Sequence, residues 1–116
     1  MFEYSSIPEI DVNQLALQLA ESPPCLQLID VREKNEVEIA YVDGFEVFPL
    51  SEFDQWSSEI LLNLNPEAET IVICHHGMRS AQLCQWLQIR GFNNVKNVTG
   101  GIDAYSRLVD SSIQRY

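Results

Sequence analysis

The chain has 116 residues, 46% hydrophobic and 21% charged, the size and composition of an ordinary folded domain with a core that needs no staples. Seventeen acidic against seven basic residues give a formal net charge of −10, so the surface repels nucleic acid and anionic lipid, and neither is expected as a partner. No run of about 18 apolar residues exists to cross a membrane, and residues 1–11 lack the basic-then-apolar pattern of an export leader, so a cytoplasmic location is expected.

Ile7 to Ile10 reads as a short first strand, and Asp11 is placed to cap a helix over Val12–Glu21 with Val12, Leu15, Ala16 and Leu19 on one face. Pro23-Pro24 stops that helix. Leu26-Gln27-Leu28-Ile29, closed by Asp30-Val31-Arg32-Glu33, has the short apolar run of a parallel strand and its following loop. A brief helix is predicted from Glu33 to Ala40, a turn at Val42-Asp43-Gly44, and a third strand at Glu46-Val47-Phe48, ended by Pro49. Ser51 or Ser57 can cap helical turns through Leu64, which Asn65-Pro66 breaks. Thr70-Ile71-Val72-Ile73 is the clearest strand of all. Ser80 is read as opening an amphipathic helix that carries Ala81, Leu83, Cys84 and Leu87 inward and ends at Gly91. Val95 to Val98 gives a fifth strand; Gly100-Gly101 turns into a last helix through about Val109, and a polar tail over 110–116 follows.

Strands alternating with helices at this spacing predict one α/β domain over residues 1–116, with a mostly parallel five-stranded sheet flanked by helices on both faces. Ligand sites in such sheets lie at the carboxyl ends of the strands. Cys74, Asp30 and the Gly100-Gly101 turn all fall at that edge.

Cys74 matters most. The loop His75-His76-Gly77-Met78-Arg79 and then Ser80 follow it, so backbone N–H groups, a helix N-terminus and a guanidinium all stand where they favour a thiolate, the nucleophilic form. Gly77 permits a positive φ or a close backbone approach. Arg79 can brace the loop through backbone carbonyls or meet an anionic substrate. His75 and His76 are read as solvent-facing loop residues that shape specificity. Asp30 is read as satisfying loop N–H groups at a strand end and Arg32 as pairing with a carboxylate, both in supporting roles. Cys84 falls on the apolar helix face, and Cys25 is expected as a surface thiol. Three cysteines without paired spacing argue against a disulfide framework and for a reducing compartment. Cys74, His75 and His76 are too close together for tetrahedral ligation, so no metal site is expected.

Cys-x-x-Gly-x-Arg-Ser after an apolar strand resembles the active-site loop of rhodanese-like sulfurtransferases. Asp30-Val31-Arg32-Glu33 is similar to that family's segment after its second strand. Asn97-Val98-Thr99-Gly100-Gly101-Ile102-Asp103-Ala104-Tyr105 is similar to its Gly-Gly ending, with tyrosine where tryptophan is usual. Gly44 to Leu50 corresponds to a further segment, so the resemblance covers about residues 7–109. It implies covalent sulfur transfer through a Cys74 persulfide with the loop His75–Ser80 binding the anion, and no metal or organic cofactor. The implied partners are a small donor such as thiosulfate or a protein persulfide, a thiol or cyanide as acceptor, and a sulfur-carrier protein, acting on a monomer. Four residues separate Cys74 from Arg79. The cell-cycle phosphatases of the same fold have a longer loop with room for a phosphate, so a phosphatase or arsenate reductase is the weaker reading. A non-catalytic interaction or sensing module on this fold is the other alternative.

Overall fold

The element pattern follows from where the apolar residues can hide. The computed structural model describes residues 7–21 and 25–116, which form five strands and five helices in alternation. These are β1 (Glu9–Ile10), α1 (Val12–Glu21), β2 (Gln27–Asp30), α2 (Lys34–Ile39), β3 (Glu46–Val47), α3 (Phe53–Asn63), β4 (Thr70–Ile73), α4 (Met78–Ile89), β5 (Val95–Val98) and α5 (Gly101–Leu108). A 3₁₀ turn over Leu50–Glu52 leads into α3. The sheet runs β1-β5-β4-β2-β3, and every neighbouring pair is parallel.

β4 lies at the centre, and all four of its residues are buried, as a parallel strand covered on both faces requires. Its side chains alternate between two cores. Ile71 and Ile73 join Leu15, Val98, Ile102 and Tyr105 on the α1–α5 face. Val72 and Cys74 join Ile29, Trp56, Leu83, Cys84 and Leu87 on the α3–α4 face. The two-residue period of the strand therefore aims the Cys74 thiol toward α4.

Two helix caps differ from expectation, and the predicted stop at Pro23-Pro24 lies outside the described residues. Neither serine caps α3: the Ser51 hydroxyl donates to Glu33, and Ser57 lies inside the helix. The other difference touches the site. Helix α4 starts at Met78, not Ser80, because Gly77 takes the cap position at φ +105, a conformation open to glycine. Ser80 thus stands in the first turn of α4, fully buried, with its hydroxyl turned inward.

Candidate functional site

β4 ends where the loop begins, and Cys74 is only 1% exposed there. The Gly77 N–H donates to Cys74 Sγ at 3.1 Å, a bond that the left-handed cap of α4 makes possible. Ser80 Oγ lies 3.2 Å from the same sulfur and 2.5 Å from Asn97 Oδ1, while Asn97 Nδ2 donates to the Gly77 carbonyl at 2.9 Å. A hydroxyl has one proton to give. With Cys74 as a thiol, Ser80 donates to Asn97 and accepts from the sulfur. With Cys74 ionised, that proton turns to the sulfur, and the anion then holds two donors. Asn97, in mid-strand and buried, is a residue of the site to which the sequence reading gave no role. Its signal was a polar side chain at an inward position of β5.

The far side of the loop is fixed by α5. Its Ile102 and Asp103 N–H groups donate to the carbonyls of Cys74 and His75 at 2.9 and 3.1 Å. First-turn amides normally lack partners within their own helix. Here the loop supplies them. Gly101 permits the approach, since a Cβ there would stand 2.4 Å from the Cys74 oxygen and 2.5 Å from the His75 oxygen.

Arg79 neither braces the loop carbonyls nor stands open. Its Nη1 and Nη2 donate to the two carboxylate oxygens of Glu36 at 2.7 and 2.8 Å. Those bonds hold the Glu36 carboxyl down at about 2 against the opposing effect of burial, with the Glu33 N–H adding to the shift. Asp30 and Arg32 form a buried pair: Arg32 Nη2 donates to Asp30 Oδ2 at 2.7 Å, and the Arg32 N–H donates to Asp30 Oδ1 at 3.0 Å. His76 and Met78 face solvent. His75 does not, contrary to expectation. Its ring sits between His76 and Tyr116, each 3.9 Å away between centroids, and its Nε2 is buried with no hydrogen-bond partner among the described residues. Burial first, then the neighbouring His76, lower its pKa.

This constellation can stabilise a sulfur anion at one strand end with backbone and hydroxyl donors. The model of the rhodanese-like domain matches residues 12–108. The chain belongs to the rhodanese-like domain family.

Its relatives include an Arabidopsis thaliana chloroplastic rhodanese-like/PpiC domain-containing protein, 57% identical over 78% of this chain and 30% of that protein. A putative sulfur carrier protein of Bacillus subtilis is 37% identical over 84% of this chain and 50% of its own length. The chain thus spans half or less of these two relatives. A thiosulfate sulfurtransferase of Shewanella oneidensis is 29% identical over 87% of this chain and 94% of its own. Among solved structures, a rhodanese-like domain protein from Staphylococcus aureus superposes with a TM-score of 0.75 at 25% identity, covering 95% of this chain and 99% of that one.

Within the rhodanese-like domain the remaining thiols separate by environment. Cys84 is fully buried, and burial, with the nearby Cys74, pushes its thiol up to about 12. Cys25 is exposed, before β2, at the opposite edge of the parallel sheet from Cys74. Among the described residues no cluster of His, Cys, Asp and Glu could hold a metal ion, and no helix is long and apolar enough to cross a membrane. An open groove of about 950 Å³ lies elsewhere, between α1 and the segment 39–44, and no residue of the Cys74 loop lines it.

Three substitutions test this geometry. Ser80→Ala removes one donor from the ionised sulfur, so alkylation of Cys74 by iodoacetamide at pH 7 should slow by about fivefold to tenfold, the effect of one hydrogen bond to a charged acceptor. An unchanged rate contradicts the assignment of that hydroxyl. Arg79→Ala leaves Glu36 without its cation beside the loop, and if the chain transfers sulfur from an anionic donor, that transfer should fall by about tenfold. The pair's effect on stability has a defined sign. The Glu36 carboxyl is lowered in the folded state, so the stabilisation is full above the ordinary carboxylate value and is lost as the pH falls through about 2. With Arg79 one-third exposed, Glu36→Gln should cost about 1 kcal/mol in urea unfolding at pH 7 and almost nothing near pH 2.

Proposed function

We propose that this chain is a sulfurtransferase in which Cys74 carries a single sulfur atom as a persulfide. The observation that carries the reading is the Cys74 sulfur held by the Gly77 N–H at the end of a buried parallel strand, with the Ser80 hydroxyl beside it. Relatives named thiosulfate sulfurtransferase and putative sulfur carrier protein support sulfur transfer as the general function.

The reaction runs in two displacements. The Cys74 thiolate attacks the outer sulfur of a donor such as thiosulfate or a protein persulfide. An Sγ–S bond forms, the donor's S–S bond breaks, and the leaving group (sulfite, for thiosulfate) departs with the electron pair. The Gly77 amide and the Ser80 hydroxyl then face a persulfide anion. An acceptor nucleophile, cyanide or a thiol, attacks the terminal sulfur, and the electron pair of the breaking bond returns to Cys74 as thiolate. Arg79, fixed by Glu36, offsets negative charge at the loop mouth, while Arg32, paired with Asp30, donates to the Glu36 carbonyl and helps hold that residue. A thiol-bearing or sulfur-carrier protein fits the acceptor role in a cell. The chain's own groups suffice for both steps.

Incubation with thiosulfate should add one sulfur atom to Cys74, seen in the intact mass and removed by cyanide as thiocyanate. No adduct under excess thiosulfate or polysulfide would falsify the proposal. The 1% exposure of Cys74 favours one second reading, an interaction module of the same fold. Alkylation of Cys74 that follows the pH dependence of an ordinary free thiol, with no persulfide formed, would select it.

A further inference from the structure

The segment after α5 does not run out into solvent. Asp110 Oδ1 accepts from the Ser112 amide at 3.0 Å and turns the chain, and Ser106 Oγ donates to the Ile113 carbonyl at 2.6 Å. Ile113 packs on the α1–α5 core. From that anchor the chain doubles back to the Cys74 loop. Arg115 Nε donates to Asp103 Oδ1 at 3.2 Å, and Tyr116 lays its ring on His75, 3.9 Å between centroids and 7° from parallel. The Tyr116 hydroxyl accepts from Arg32 Nη1 at 3.0 Å and donates to Glu36 Oε1 at 3.1 Å.

Both neighbours of the phenol belong to the site already described. His75 follows Cys74 in the chain, and Glu36 grips Arg79. The hydroxyl accepts one bond and donates one, between a buried cation and a carboxylate, so its polar needs are met where it stands. The hold is nevertheless light. Arg115 is 59% exposed in its side chain and Tyr116 37% exposed, so these contacts lie in high dielectric, where an ion pair contributes little. We call residues 114–116, which lead from Ile113 to these contacts, the flap. The flap's ring lies on His75, the neighbour of Cys74 in the chain, and Cys74 is 1% exposed, so any reagent larger than a few atoms must displace something to reach the sulfur.

We propose that Tyr116 is a specificity-determining residue of this site, its ring over His75 admitting small nucleophiles to the Cys74 sulfur and holding back bulky ones until the flap swings aside. The meaning for acceptor choice rests on the sulfurtransferase reading. The steric part stands on the reactivity of Cys74 alone.

The experiment therefore has two arms, each run on the full chain with Tyr116→Ala, Tyr116→Phe and Arg115→Ala. In the first, the rates of Cys74 modification by iodoacetamide and by pyrene maleimide are compared by peptide mass, which separates Cys74 from the exposed Cys25. Tyr116→Ala should raise the bulky-to-small ratio by about fivefold, Arg115→Ala by less, and Tyr116→Phe should match the parent, since it keeps the stacked ring. In the second, protein loaded from thiosulfate passes sulfur to cyanide or to glutathione, and Tyr116→Ala should favour glutathione by about threefold. A bulky-to-small ratio unchanged in both Tyr116→Ala and Arg115→Ala overturns the proposal. A phenylalanine variant that behaves like alanine overturns the role of the ring. A raised labelling ratio with no sulfur transfer in any protein, parent included, leaves the gate standing and removes the sulfurtransferase reading. Transfer in the parent with unchanged ratios does the reverse.

Discussion

Cys74→Ser is expected to lower thiocyanate production from thiosulfate and cyanide by at least about 10³-fold, the scale on which losing a nucleophile is felt. Serine is close to cysteine in size and still accepts from the Gly77 N–H, so the fold should survive and the loss should be chemical. Neither other thiol can substitute. Cys84 lies in the core with its thiol pushed up to about 12, so it is protonated and shielded at neutral pH. Cys25 is accessible but stands at the opposite edge of the sheet, away from the Gly77 and Ser80 donors. Intact mass after thiosulfate should show the added sulfur in the parent and none at position 74 in the variant. Activity within tenfold of the parent would remove Cys74 from its role.

Gly101→Ala should be the most damaging change outside the nucleophile. The new methyl carbon would stand 2.4 and 2.5 Å from the Cys74 and His75 carbonyl oxygens, and both oxygens are backbone atoms already bonded to α5. No side chain can swing away to make room. The backbone at Gly101 also sits at φ +60, which adds strain for any L-residue. Together these should cost about 3 kcal/mol or more, roughly 12 °C in melting temperature for a domain of this size. Gly91→Ala is the natural control. Gly91 has an equally left-handed φ of +98, but an added Cβ there meets nothing within 4 Å, so only about 1 kcal/mol should be lost. Equal melting temperatures for the two variants would show that the close approach of α5 to the loop is not what Gly101 serves.

What could be read from the sequence was what depends on near neighbours. β4 was legible because three consecutive β-branched apolar residues after Thr70 have one good use in a parallel sheet, and α1 because its apolar spacing is helical. The Cys74 loop was legible as a motif. Its partners were not. Glu36 lies 43 residues before Arg79, and Asn97 lies 17 after Ser80. Nothing local in the glutamate distinguishes it from an ordinary surface residue, and the asparagine's inward position on β5 names no partner. The start of α4 was misplaced for a related reason. Ser80 has the chemistry of a cap, but a glycine three residues earlier took the cap position and left the serine free to face the sulfur. His75 was expected in solvent because the ring that covers it comes from residue 116. The chain's separation in sequence, not the weakness of the contacts, hid them.

The two amides that α5 lends to the Cys74 and His75 carbonyls bear on the order in which the molecule assembles. The strand that carries the thiol is finished at residue 73, yet the loop beyond it is not fastened until residues 102 and 103 arrive. As the chain emerges from its amino end, Cys74 is for a time an ordinary thiol on an unheld loop. The Gly77 and Ser80 groups beside the sulfur come with α4, but the Cys74 and His75 carbonyls gain their partners only when the last helix docks. The setting of this sulfur is thus complete only in the finished fold, and a half-folded chain would carry the same cysteine on a loop fastened at one side alone.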